Sequence, residues 1–198
     1  MRCMKCSALK TIHSKWSTTT RLAWRWTIRA SRLCLLTNET QGNAMNDQAL
    51  KDWLAQAGFD VTEPLQIEST ITNATTPLMH AARLGDLNVL AALLARGADP
   101  GRMNADSNGA LWFACFADSA ACASALIQAG APLDTQNVNG ATALIYCAST
   151  GKTPLVRLLL DAGADAGLMT LDDFTALELA ANIHCMRMLK EARGAAHV

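Results

Sequence analysis

A 33-residue period constrains this chain more than any other feature. Leu78, Leu111, Leu144 and Leu177 fall one period apart, each inside a related heptapeptide. Thr76-Pro77-Leu78-Met79-His80-Ala81-Ala82 recurs as Gly109-Ala110-Leu111-Trp112-Phe113-Ala114-Cys115. It returns as Thr142-Ala143-Leu144-Ile145-Tyr146-Cys147-Ala148, then as Thr175-Ala176-Leu177-Glu178-Leu179-Ala180-Ala181. A second marker keeps the same step: Gly97-Ala98-Asp99, Gly130-Ala131-Pro132 and Gly163-Ala164-Asp165. Two markers in register over three or four copies require a repeat architecture. A unit this small cannot bury its apolar face alone, so the copies must stack.

The residues within each copy specify two short antiparallel helices. With 36 Ala and 27 Leu against 5 Val and 7 Ile, the chain is rich in helix formers and an all-β fold is excluded. Thr76, Thr142 and Thr175 stand where an N-cap hydroxyl accepts a backbone N–H, and Pro77 takes the first helical position, where its missing donor costs nothing. Leu78, Ala81, Ala82 and their equivalents form the buried stripe. After a turn at Gly85 or Gly151, a second helix carries Val89, Leu90, Leu93 and Leu94, or Leu155, Val156, Leu159 and Leu160; Thr153-Pro154 repeats the cap-and-proline pattern. Gly97, Gly130 and Gly163 end the second helices, where a left-handed cap is needed. Residues 99–104 and 165–170 are expected to run in extended form to the next unit. Upstream, residues 49–58 read as the second helix of an incomplete first unit that caps the stack.

These motifs resemble the ankyrin repeat, whose pattern joins Thr-Pro-Leu-His and Ala-Ala, then Gly, a Leu-rich helix and Gly-Ala-Asp. The resemblance covers about residues 70–194. This sequence departs from it at the His position, filled by Met79, Trp112, Ile145 and Glu178, and in unit two, where Gly109 replaces the capping Thr and Asp118 the turn Gly. The last unit is compressed and reaches Gly194 two residues early; Arg187, Lys190 and Arg193 give it the look of a polar C-terminal cap. The expected organisation is an all-α ankyrin-repeat solenoid of helix-turn-helix units. A basic leader (1–44) precedes a capping helix and linker (45–72), then units near 73–105, 106–138, 139–171 and 172–198.

The resemblance implies a non-catalytic module that binds another protein through a concave face built from turn tips and exposed first-helix ends. Carried onto this chain, that face includes Arg83, Leu84, Asp106, Asn108, Trp112, Phe116, Asn139, Ser149 and Phe174, centred on units two and three. Leu84, Phe116, Phe174 and Ile183 would be solvent-facing apolar residues ringed by Asp and Asn, the composition of an interface hot spot. The competing reading of Phe116 folds it back onto Trp112, Phe113 or a neighbouring unit.

Charge divides the chain. Residues 1–44 hold eight Lys/Arg against Glu39 alone, a net +7, and residues 45–198 hold nine bases and sixteen acids, a net −7. The acidic part favours a basic or neutral protein partner over nucleic acid. The leader, with Arg21, Arg25, Arg29 and Arg32 on one helical face, reads either as lying upstream of a true start at Met45 or as a targeting or surface-binding arm. In the second case the chain would be a regulatory or inhibitory subunit tethered to membrane or nucleic acid. Chemistry finds little footing. Cys3-Met4-Lys5-Cys6 has metal-ligand spacing, but His13 and Cys34 complete no recognised zinc pattern. Cys115 and Cys147 occupy small core positions, and adjacent His184 and Cys185 point apart. No catalytic residue, cofactor or metal is expected. The longest apolar run, residues 110–117, is far short of the roughly 18 residues that a membrane helix needs. Seven cysteines spread through the chain fit reduced thiols, and a cytoplasmic protein, monomeric on its own, is expected.

Overall fold

The computed structural model describes residues 45–62 and 66–195, which fold as an all-α repeat solenoid. Its helices are α1 (Asp47–Gln56), α2 (Pro77–Leu84), α3 (Leu87–Ala95), α4 (Ala110–Phe116), α5 (Ala120–Gln128), α6 (Ala143–Ser149), α7 (Thr153–Asp161) and α8 (Ile183–Ala195). Among the described residues β-pairing is limited to isolated bridges, Ile71 with Thr75, Met103 with Gly109 and Met169 with Thr175, which close the turn tips.

Local chemistry sets the helix ends. Thr76 Oγ1 accepts Met79 N–H at 3.3 Å and Thr142 Oγ1 accepts Ile145 N–H at 3.2 Å, so the residues in the family's His position are held through their backbones while their side chains are buried. Asp86 and Ser119 cap α3 and α5 in the same way, and Asn46 caps α1. Gly85 and Gly151 turn the chain between helices at φ 70° and 73°. In unit two Asp118 takes that left-handed conformation at φ 57°, and Gly109 opens α4 with no side-chain cap.

Packing follows the period. α2 lies against α4 and α4 against α6, while α3 lies against α5 and α5 against α7. Leu78, Leu111 and Leu144 are buried, each worth about 1.5–3 kcal/mol of removal from water. Beside them Ala81, Ala82, Ala114, Cys115, Cys147 and Ala148 are fully buried, small enough to bring the first helices close. At the N-terminal end, Leu50 and Leu54 of α1 cover the stack, and Trp53, Phe59 and His80 pack ring against ring.

A backbone ladder joins the tips. Ala105 N–H donates to Asn73 O at 3.1 Å, Val138 N–H to Asp106 O at 3.1 Å, and Leu171 N–H to Asn139 O at 3.0 Å. Asn104 Oδ1 accepts the Asp106 and Asn108 amides, and Asn137 Oδ1 repeats this with Asn139 and Ala141. The residues in register at the bend, Ala74, Ser107, Gly140 and Asp173, all have positive φ.

Four expectations are corrected. Unit four forms no first α-helix: residues 176–179 are a turn, although Thr175 and Glu178 make a complete reciprocal cap, with Thr175 N–H and hydroxyl both donating to Glu178 Oε2. Those bonds hold the Glu178 carboxyl below its ordinary pKa. Propagation stops because Ala181 N–H donates to Ala148 O of unit three and Asn182 is already the cap of α8, accepting Cys185 N–H at 2.8 Å. The stripe there is accordingly looser, with Leu177 half-buried and Ala181 exposed. α8 also continues through Gly194 rather than ending before it. Thr153 is the first residue of α7 and not its cap; its hydroxyl donates back to Gly151 O, and Lys152 occupies the cap position. The connecting segments are not plainly extended, because Asp99 and Asp165 each fold the chain by accepting an amide two residues on, from Gly101 and Gly167. The readings of residues 1–44, the Cys3/Cys6 spacing included, lie outside the described residues.

Candidate protein-binding surface

The 33-residue register sets the tip of each unit beside the tip of the next. Between units one and two this leaves an open groove of about 340 Å³. Thr72, Asn73, Thr75 and Arg83 line one side; Asn104, Asp106, Asn108, Trp112, Phe113 and Phe116 line the other. An aromatic cluster continues from it into unit three. The Phe116 ring stacks on Trp112 at 5.8 Å and on Tyr146 at 6.2 Å, Trp112 and Tyr146 lie 4.9 Å apart, and Phe113 meets Trp112 edge-on at 5.5 Å.

Lys152 of unit three locks this cluster from outside. Its Nζ donates to Cys115 O at 2.7 Å and Phe116 O at 2.8 Å, and lies 5.3 Å from the Tyr146 ring centroid. A cation is thus held on the last carbonyls of α4, where Cys115 O also accepts the Asp118 amide, and over an aromatic face at once.

Arg83, Asp106, Asn108, Trp112 and Phe116 are brought together around the groove, and Leu84 is 59% exposed at the adjoining helix end. Asn139 and Ser149 are exposed on unit three outside the lining, and Phe174 is exposed at the tip of unit four. The groove therefore sits one unit N-terminal of the expected centre. Both readings of Phe116 hold together: its ring lies on Trp112 and Tyr146, and 48% of the residue still faces solvent. Phe113, expected only as a packing partner of Phe116, and Tyr146 and Lys152 were not among the residues expected at this surface. The first two share the register of His80, a signal that was present; Lys152 acts across 36 and 37 residues, off the period.

Burial shifts the titratable side chains nearby. Burial, with help from Arg83, pushes the His80 pKa down, and burial pushes Tyr146 up. The Cys115 side chain beside it, together with burial, pushes the Cys147 thiol far up. Two polar atoms in the groove wall, Asn108 Oδ1 and Trp112 Nε1, are closed to solvent without a hydrogen-bond partner. Among the described residues no three His, Cys, Asp or Glu side chains gather as metal ligands would, and no helix is long and apolar enough to cross a membrane.

Comparison with known proteins agrees with this architecture. The family model described as ankyrin repeats (3 copies) matches residues 41–137 and 111–197. The ankyrin repeat domain-containing protein SAT10 of Stachybotrys chartarum is 33% identical over 96 residues, 48% of this chain and 5% of that protein. The putative ankyrin repeat protein FPV244 of Fowlpox virus is 38% identical over 63 residues, 32% of this chain and 9% of that protein. The aligned parts are thus small fractions of both relatives. Ankyrin repeats are generally protein–protein interaction modules and typically non-catalytic. With that model matched over most of its length, and a 33-residue period of stacked helix pairs beneath the match, the chain belongs to the ankyrin repeat family.

Proposed function

We propose that this chain is a non-catalytic interaction module that binds a partner protein along the groove between units one and two and the aromatic cluster beside it. The observation that carries this reading is Phe116: a large ring stacked on Trp112 and Tyr146, backed by Lys152, and nearly half exposed at the edge of an open groove. A preorganised aromatic beside polar tip residues has the make-up of a binding hot spot. Arg83, Leu84, Asp106, Asn108 and Trp112 complete the surface, and Asn139, Ser149 and Phe174 extend it toward the C-terminal end. The net −7 of residues 45–198 favours a partner that is basic or neutral overall. Cys115, Cys122, Cys147 and Cys185 are free and buried, which supports a reducing, cytoplasmic setting.

The test is affinity capture with the full chain against a Phe116→Asp/Arg83→Glu variant whose thermal unfolding matches the parent. The variant is expected to lose the proteins that the parent retains. Equal capture by both places recognition on another face.

A further inference from the structure

Arg83 is exposed at the groove lip, at the end of α2. Arg96 and Arg102 pair with Asp47 and Glu68, but Arg83 meets no carboxylate among the described residues. The carboxylate in the groove lining is already engaged: Asn73 Nδ2 and Asn104 Nδ2 both donate to Asp106 Oδ2. What remains uncommitted is the Arg83 guanidinium, the Thr72 and Thr75 hydroxyls, which donate or accept, the Trp112 indole N–H, and two acceptors, Asp106 Oδ1 and Asn108 Oδ1; the guanidinium is the lining charge that no side chain among the described residues engages. Beside them lies the exposed apolar face of Phe116.

A basic ligand side chain would be repelled by Arg83 and would have to share the Asp106 carboxylate with two amides. A carboxylate finds a guanidinium that meets no carboxylate among the described residues, with hydroxyl donors close by, in the fork geometry that suits bidentate pairing.

Resting on the protein-binding reading above, we propose that the groove takes an extended segment of the partner that sets an acidic side chain on Arg83 and an apolar side chain on Phe116. A small shift of the groove wall, with Phe116 still stacked on Trp112, lets main-chain groups of that segment supply what Asn108 Oδ1 and Trp112 Nε1–H lack. Buried polar groups are rarely left unpaired in a finished complex. The solenoid's acidic field acts on the partner as a whole, while Arg83 selects the contact segment.

An array of ten-residue peptides tests this, each carrying one Leu or Phe, with Glu, Gln or Lys scanned through the other positions and probed with the full chain. Glu peptides are expected to be retained about fivefold or more over Gln peptides, the scale of one partly desolvated ion pair, and Lys peptides least. Arg83→Gln should erase the preference and Arg83→Lys keep part of it, both with unchanged thermal unfolding. Trp112→Phe should weaken all peptides without altering the Glu preference. A Lys preference, or a Glu preference that survives Arg83→Gln, overturns the acidic assignment; if Phe116→Asp still abolishes binding, the surface reading stands without it. Binding that survives Phe116→Asp, or no binding of any peptide, overturns both.

Discussion

Units two and three share the helix-pair layout but differ at the start of the first helix, at the tip bend and at the turn between the helices. Unit three has Thr142 as a side-chain cap, Gly140 at its tip and Gly151 between its helices. Unit two has Gly109 with no cap, Ser107 at φ 60° and Asp118 at φ 57°. Glycine in place of a capping threonine costs only about a few tenths of a kcal/mol, and the residues held in the left-handed region add more, about 1 kcal/mol or above each. What unit two lacks locally it receives from its neighbour, since Lys152 of unit three binds the last carbonyls of α4. One wall of the groove and most of the aromatic cluster lie on unit two, whose first helix is the less well punctuated of the pair. Local rules are commonly relaxed at functional sites, and stacking supplies the support here.

The comparison breaks first if the units are not interdependent. Leu111 of unit two and Leu144 of unit three are both buried. Leu111→Ala and Leu144→Ala should each cost about 2–5 kcal/mol and lower the single Tm seen by calorimetry. A Leu111→Ala protein that unfolds with the parent, or that loses unit two alone in a separate step, contradicts support by stacking.

A sharper contrast comes from the tips. A Cβ at Gly140 would lie 2.7 Å from Leu171 N, at a φ of +73°. Gly140→Ala should therefore cost about 1–3 kcal/mol and disturb the rung between Asn139 and Leu171. Ser107→Gly, one period earlier, should be neutral or stabilising by a few tenths of a kcal/mol, because relief of the left-handed serine is offset by a freer unfolded chain. Urea unfolding of the two variants reads both, and substitutions of like sign would remove the distinction between the tips.

Support across the interface is tested by Lys152→Met, which keeps much of the aliphatic stem and removes the charge. Two charge-assisted bonds to Cys115 O and Phe116 O disappear, at about 1–2 kcal/mol for a half-buried ammonium. Hydrogen exchange should quicken in α4 more than in α6. Uniform acceleration would mean that Lys152 stabilises the whole stack rather than unit two.

The sequence and the structure part company where separation leaves the period. Leu78, Leu111 and Leu144, the Thr76 and Thr142 caps and the glycines after the second helices were legible because each depends on local chemistry repeated every 33 residues. Arg83, Asp106, Asn108, Trp112 and Phe116 could be grouped because the resemblance to the ankyrin repeat, resting on that period, implies a face of turn tips and first-helix ends. Lys152 could not, since its contact depends on a side chain reaching back to the preceding unit. Unit four was misread for a related cause. Thr175 and Glu178 carry a full helix-start signal, but Ala181 and Asn182 are drawn into bonds with unit three, and the chain turns at once into α8. A capping signal nucleates a helix; only packing extends it.

Asp118→Gly is the smallest test and the most specific. Asp118 occupies the turn position that Gly85 and Gly151 fill in the flanking units, and its left-handed backbone is costly for a residue with a Cβ. Glycine removes that strain but enlarges the unfolded ensemble by about 0.4–1 kcal/mol, so the net gain should be about 0.5 kcal/mol. Asp118→Asn should recover part of it, since Asn tolerates this conformation better than most residues and Asp118 caps no helix. Gly151→Asp in unit three should lose stability by more than Asp118→Gly gains. There the added Cβ would also crowd Asn182 Nδ2 at 3.0 Å, the group that donates to Gly151 O. If instead Asp118→Gly destabilises, the aspartate has a role that its backbone does not explain, and unit two is better supported by its own residues than the contrast with unit three implies.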